Sequence, residues 1–309
     1  MTSMGALRPH RARRAKAAAL LLAIAGLLAG PAQAQAVRVT DDTGAVIDLA
    51  RPAQRIVSLS PHLTELLFAA GAGAQVVGVD EASDYPPQAR QRPRIGSSST
   101  LDYERLLALK PDLVVAWSSG NPARLVARLQ GLGLPIYRNE IRRFADVATT
   151  LRRLGALAGT GEAAETRAQQ FEAQVSALRE RYADRPMLRV FHQIWAQPLI
   201  TVNGQHLISQ AIEVCGGRNV FADARELTPR VDIEAVLGAD PDVIVTSAPV
   251  AGEADNLQRW RHLRTLRAAR EGSLVTIDAD TLHRATDRIV DGTRELCEKL
   301  DAVRSRQRR

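Results

Sequence analysis

The sequence predicts an α/β protein made of two Rossmann-like lobes joined by a single long rigid helix. Three observations carry that reading. Short apolar strands alternate with helix-forming stretches in both halves of the chain, which calls for parallel sheets covered by helices. A helix–turn–strand phrase occurs once in each half at the same spacing. It runs Glu104-Arg105-Leu106-Leu107-Ala108-Leu109-Lys110-Pro111-Asp112-Leu113-Val114-Val115, and again Glu234-Ala235-Val236-Leu237-Gly238-Ala239-Asp240-Pro241-Asp242-Val243-Ile244-Val245. Proline stops the helix, aspartate satisfies the turn and branched residues enter a sheet, so the phrase reads as a duplicated unit. Between the halves, residues 162–182 contain no Gly or Pro and place Ala168, Phe171, Val175, Leu178 and Tyr182 at three-and-four spacing. That is an amphipathic helix, a spine and not a flexible linker.

The elements follow in order. Arg8, Arg11, Arg13, Arg14 and Lys16 precede an apolar run over residues 17–30, and Ala32-Gln33-Ala34 offers small residues for cleavage, with Ala34-Gln35-Ala36 as an alternative. This is an export leader, too short in its apolar part to span a bilayer. A strand over residues 36–40 leads to a turn at Asp41-Asp42-Thr43-Gly44. Strands are expected at residues 56–60, 76–79 and 113–116, and helices at 63–70, 103–109 and 125–132. The pattern resumes with strands at 188–194, 243–246 and 274–277, and helices at 207–214 and 288–303. The expected division is a leader 1–34, an N-terminal lobe 35–158, a connecting helix 159–184 and a C-terminal lobe 185–309. Two α/β lobes on a stiff connector leave a cleft, and ligands of such lobes bind outside the carboxyl ends of the strands.

Composition excludes several classes. Removing the five leader cations from the formal charge of +7 leaves +2, too little for a polyphosphate partner, so no nucleic acid is expected. The terminal Arg304-Ser305-Arg306-Gln307-Arg308-Arg309 reads as a solvated tail. No Walker loop, Gly-x-Ser-x-Gly elbow or His-Glu-x-x-His is present, and Gly71-Ala72-Gly73-Ala74 follows a helix, not a strand, so an enzyme is not expected. A metal-dependent hydrolase, the remaining enzymatic alternative, would need clustered His and acids, and the six His are scattered in sequence. Cys215 and Cys297 form an even pair in an exported chain, consistent with a disulfide or with two buried thiols. A bridge closing so long a loop would contribute on the order of 4 kcal/mol in the chain-entropy model. Aromatic residues are only 4% of the chain, so each can be weighed singly. Trp117 and Trp195 stand just past strands, and Tyr85 lies in a loop after one. Trp260, between Arg259 and Arg261, reads as a surface or lobe-packing residue. His62, His192 and His206 read as polar surface, and His283 as an exposed ring or a ligand.

At this point the chain resembles the helical-backbone (class III) periplasmic binding proteins that serve ABC importers of cobalamin, haem and ferric siderophores. The resemblance rests on Arg55-Ile56-Val57-Ser58-Leu59-Ser60-Pro61, Thr64-Glu65-Leu66, Val76-Val77-Gly78-Val79 and Ser83-Asp84-Tyr85-Pro86-Pro87-Gln88-Ala89. It continues through the Glu104 to Trp117 run, Gly120-Asn121, Glu213-Val214-Cys215-Gly216-Gly217, Asn219, Phe221, Arg284 and Cys297. It implies a monomer in the periplasm that captures cobalamin or a related metal chelate as cargo, with no cofactor of its own, and hands it to an inner-membrane ABC permease. It implies that Asp280, Thr281, Leu282, His283 and Arg284 form a ligand-contacting loop and that Trp117 is a cleft aromatic; Tyr85 and Trp195, from their own places after strands, are the further candidate contacts. Glu104 and Glu234 match acids that dock on permease arginines, and Cys215 and Cys297 match the family disulfide. The chain departs from cobalamin-binding members at Ala82, where they carry Tyr, at Ser98 and Thr228, where they carry Trp, and at Ile200, where they carry Phe. Four stacking surfaces are missing, which leaves haem or a ferric siderophore as alternative cargo. For haem, Tyr85 or His283 would be the axial candidates.

Overall fold

The computed structural model describes residues 1–2, 36–97, 99–247 and 256–308. The expected leader beyond its first two residues, Ser98 and Arg309 lie outside the described residues. The N-terminal half begins with an antiparallel hairpin of β1 (Val37–Thr40) and β2 (Val46–Leu49). Asp41 closes its turn by accepting the backbone N–H groups of Thr43 and Ala45 at 2.8 and 3.0 Å. Next come β3 (Ile56–Ser58), α1 (Pro61–Ala69), β4 (Val76–Val79), α2 (Tyr103–Ala108), β5 (Leu113–Trp117), α3 (Ala123–Gly131), β6 (Ile136–Asn139) and α4 (Phe144–Ala158). The four strands of the sheet are parallel, in the order β4-β3-β5-β6.

Helix α5 (Gly161–Tyr182) separates this half from the next. The C-terminal half contains β7 (Leu188–Gln193), a small hairpin of β8 (Trp195–Ala196) and β9 (Leu199–Ile200), α6 (Leu207–Val214), β10 (Gly217–Asn219), α7 (Ile233–Ala239) and β11 (Val243–Ser247). It ends with α8 (Gln258–Arg261), α9 (Arg267–Arg270), β12 (Leu274–Ile277), α10 (Ala279–Leu282) and α11 (Ile289–Gln307). Its sheet runs β10-β7-β11-β12, again all parallel. Each sheet thus places its second strand at one edge, then the first, third and fourth. The halves share one topology and do not merge into one sheet.

The duplicated phrase explains part of that likeness. Asp102 caps α2 by accepting the Arg105 N–H at 2.9 Å, and Asp232 caps α7 by accepting that of Ala235 at 2.7 Å. Lys110 and Asp240 adopt left-handed φ values of 45° and 35° just before the prolines. The following aspartates clamp the neighbouring strand. Asp112 accepts the Arg55 N–H at the start of β3, and Asp242 that of Arg189 in β7, each at 2.8 Å. Leu113 to Ala116 are fully buried, as expected for a strand covered by helices on both faces.

One core runs from β1 through α1, α4 and α5 into α6 and α11. The buried stripe of α5 comprises Ala164, Ala168, Phe171, Val175, Leu178 and Tyr182. Helix α4 packs along it, and Arg152 ties the two by pairing with Glu165 at 2.7 Å and Glu172 at 2.6 Å. The bridge Cys215–Cys297, with Cα atoms 4.6 Å apart, joins the end of α6 to α11. Among the described residues, no helix is long and apolar enough to cross a membrane.

Of the two readings of Trp260, lobe packing holds: it is fully buried, packs on Phe191 and donates its Nε1–H to Gln193 Oε1 at 2.7 Å. Two other expectations are corrected. His62 and His192 are buried polar groups, not surface. Arg304 is not a solvated tail residue. It is 5% exposed and donates to the carbonyls of Pro186, Cys215 and Gly216.

Candidate functional site

The cleft is built where the strands of both sheets end. From the N-terminal lobe, Pro61 and His62 follow β3, Trp117 and Ser119 follow or end β5, and Glu140, Ile141 and Arg142 follow β6. From the C-terminal lobe come His206, Leu207 and Ile208 at the start of α6, Leu227 and Thr228, and the segment Leu282 to Ala285 after β12. Together they enclose about 620 Å³. A site outside strand carboxyl ends, walled by two lobes, is where this architecture places a ligand. A second hollow of about 720 Å³ lies beside α1 and is lined by Phe68, Tyr85, Arg92, Arg167, Asp287 and Arg288, among others. It is larger but away from the strand ends, and Arg167 and Arg288 are committed to Asp287 and Glu65.

Trp117 is the cleft's flat surface. It ends β5, is 38% exposed, and its N–H is held by Asn121 Oδ1 at 2.7 Å. Its ring lies over Gly120, where a Cβ would stand 1.8 Å from it, so the glycine sets the ring's position. The His62 ring meets Trp117 edge-on at 5.4 Å. Burial pushes His62 down to about 4 despite its hydrogen bond with Asn139. Burial also takes His206 and His283 to about 4, and His192 well below its usual value. The rings are therefore uncharged near neutral pH.

The predicted residues divide. Trp117, Leu282, His283 and Arg284 line the cleft. Asp280 stands beside it and pairs with Arg284 at 2.9 Å, and Thr281 Oγ1 donates to the Asp278 carbonyl. Tyr85 faces the other hollow, with the Arg288 guanidinium 3.8 Å above its ring. Trp195 is 60% exposed on the β8–β9 hairpin, outside the cavity lining, its Nε1–H donated to the Gln197 carbonyl. Arg284 is engaged across the lobes, with Glu65 at 2.8 Å and Asp84 at 2.7 Å. Although burial works against its charge, Asp84 and Glu65 hold its proton more firmly. Burial raises the Glu65 carboxyl, opposed by Arg284 and Arg288, whereas Arg284 lowers that of Asp84.

Sequence reasoning passed over His62, His206, Ser119, Glu140 and Arg142. His62 and Ser119 follow β3 and β5, so the strand-end rule that singled out Trp117 would have found them, whereas Glu140 and Arg142 follow β6, a strand the apolar pattern does not announce. His206 caps α6, a role no spacing announces. Glu104 and Glu234 are both exposed in the first turns of α2 and α7. Each of those helices leads back to the start of a parallel strand, so its first turn lies at the cleft end of its lobe.

The model of the family described as periplasmic binding protein matches residues 56–281. The chain belongs to that family. A vitamin B12-binding protein of Vibrio cholerae serotype O1 is 37% identical over 249 residues, spanning 81% of this chain and 90% of that one. The crystal structure of the periplasmic vitamin B12-binding protein of Vibrio cholerae superposes with a TM-score of 0.75 at 36% identity, covering 82% of this chain and 98% of that one. A periplasmic haem-binding protein from Roseiflexus matches with a TM-score of 0.71 at 26% identity, over 81% and 99% of the two chains. The family's members are binding proteins, not enzymes. The two-lobed α/β fold is that of its class III.

Proposed function

We propose that this protein is the periplasmic substrate-binding component of an ABC importer and that its cargo is cobalamin or a closely related corrinoid. The observation that carries the reading is the likeness to a vitamin B12-binding protein through 90% of that protein's length, combined with a cleft of about 620 Å³ open between two lobes. A corrinoid is broad and flat, with apolar faces and amides at its rim. Trp117, Leu207, Ile208, Leu227 and Leu282 offer apolar surface, and His206, His283, Arg142 and Ser119 offer polar groups around it. Trp195 supplies an aromatic at the rim, Asp280 and Thr281 brace the loop that carries His283 and Arg284, and Tyr85 supports Arg288 from behind. The leader is removed near Ala34. Cobalamin is transported cargo, not a resident cofactor.

Haem is the second reading. It is favoured by the haem-binding structural neighbour at 26% identity and by the three imidazoles on the cleft wall. Isothermal titration of the mature protein with cyanocobalamin, haemin and a ferric siderophore separates the two. Micromolar or tighter binding of cyanocobalamin is expected, and heat from haemin alone would overturn the choice of cargo.

Glu104 and Glu234 dock the two lobes on an inner-membrane permease, the same acid at the same place in each lobe suiting a two-fold partner. The double variant Glu104→Ala, Glu234→Ala is expected to bind cargo normally and to lose uptake in cells. Loss of cargo binding would instead tie those acids to the cleft.

A further inference from the structure

Four of the six histidines meet at the cleft. His62, His206 and His283 line it, and His192 lies directly behind His283, their Nε2 atoms 3.0 Å apart. Hydrogen bonding decides where each ring carries its proton. His206 Nδ1 accepts the backbone N–H of Ile208 at 3.1 Å, so that nitrogen is bare and the proton of the neutral ring sits on Nε2. In the His192–His283 contact only one Nε2 can be the donor. Were it His283, the His192 proton would move to Nδ1, which is buried and without a partner among the described residues. A buried orphan N–H is rarer in proteins than an orphan acceptor. His192 is therefore the donor, and His283 carries its own proton on Nδ1. His62 is closed off, with Ser60 Oγ at its Nδ1 and Asn139 Oδ1 at its Nε2, each at 3.3 Å. It braces Trp117 and offers the cargo no proton.

We propose that His206, through Nε2–H, and His283, through Nδ1–H, recognise the cargo as neutral hydrogen-bond donors to oxygen atoms on its rim, and that neither ring ligates its metal. The proposal rests on the metal-chelate reading above and adds how the chelate is read. Presenting a bare nitrogen to a metal would carry a cost at both residues. At His206 the displaced proton would face the Ile208 N–H, donor against donor, at the 3.1 Å contact. At His283 it would be passed to the orphaned His192 Nδ1. Burial suppresses the charged form of all three rings, so the two donors are the same at any pH near neutrality. The cleft is thus suited to a chelate whose metal already holds its own axial ligands and whose edge is rich in amide or carboxylate oxygens.

Aquocobalamin tests this, because its cobalt-bound water exchanges readily for imidazole. The mature protein is titrated with it while heat and visible absorption are both recorded. Binding with the bands of free aquocobalamin is expected. A shift to the bands of an imidazole-ligated cobalamin would overturn the donor assignment and leave the cargo reading intact. No binding would overturn both. Variants give the second arm. Asn at position 283 keeps an N–H near the Nδ1 position, and Gln at position 206 keeps one near Nε2. We expect His283→Asn and His206→Gln to weaken cyanocobalamin binding about 3-fold, and His283→Leu and His206→Leu about 10-fold or more, as for loss of one hydrogen bond to a buried acceptor. Equal affinity of the Leu variants and the parent, with unchanged melting midpoints, would contradict the assignment.

Discussion

Single residues show how burial converts ordinary groups into a neutral recognition surface. His62 and His206 are taken to about 4 mainly by burial. In the unfolded chain such rings titrate near 6.5. Between those two values the unfolded state binds more protons than the folded one, so stability falls as the pH falls through that window. It is fully present above about 6.5 and stops declining below about 4. Each pH unit in the window costs about 1.4 kcal/mol per group, and His283 adds to the slope in the same direction. Burial raises Glu65 and Asp80, which works the opposite way, but the histidines outnumber them. Urea unfolding at a series of pH values is expected to show the midpoint dropping steadily from pH 7 to pH 4. A midpoint that stays level or rises over that range would show that the rings are charged in the fold.

At the scale of elements, much of the fold was legible because apolar runs and punctuation agree. The strands at residues 243–247 and 274–277 and the helix at 207–214 lie within a residue of where the pattern places them. Helix α4 was not legible, although it is 15 residues long. Its start, Arg142-Arg143-Phe144, carries no Ser, Thr, Asp or Asn cap, and Arg143 instead has Asp146 folding back onto its N–H at 2.9 Å. Strands β6 and β10 were missed for another reason: Tyr137-Arg138-Asn139 and Gly217-Arg218-Asn219 have too few apolar residues, and only pairing with β5 and β7 makes them strands. The site divided likewise. Trp117 stood out as a rare ring past a strand, whereas the partner of Arg284, Glu65, lies 219 residues away in sequence and no local signal links them. The contact between α4 and α5 supplies a prediction. A Cβ at Gly155 would come within 2.2 Å of the Ala164 Cβ, whereas one at Gly238 in α7 would meet nothing within 4 Å. Alanine normally stabilises a helix interior over glycine by roughly 0.5–1 kcal/mol. Gly238→Ala is expected to do so, and Gly155→Ala to destabilise by about 1–3 kcal/mol through overpacking. Denaturant midpoints check both, and a gain in stability from Gly155→Ala would mean the helices are not so closely packed.

For the whole molecule, two sheets of one topology share a core that passes through α5. On one flank, Arg284 and Arg288 of the C-terminal lobe reach Glu65, and Arg284 also reaches Asp84. Arg167 of α5 pairs with Asp287 on the same flank. A spine without Gly or Pro after its first residue, together with these interlobe contacts, leaves little freedom for a wide hinge motion. The cleft is therefore held close to its binding shape before cargo arrives, and its walls come from both lobes. Crystal structures of the mature protein, free and with cyanocobalamin, test that claim most directly. The macrocycle is expected to sit between Trp117 on one side and His206 and His283 on the other, with the two sheets in nearly the same relation in both structures. A macrocycle bound in the hollow beside Arg92 and Arg167, or lobes that swing widely together around it, would contradict a preformed cleft at the strand ends.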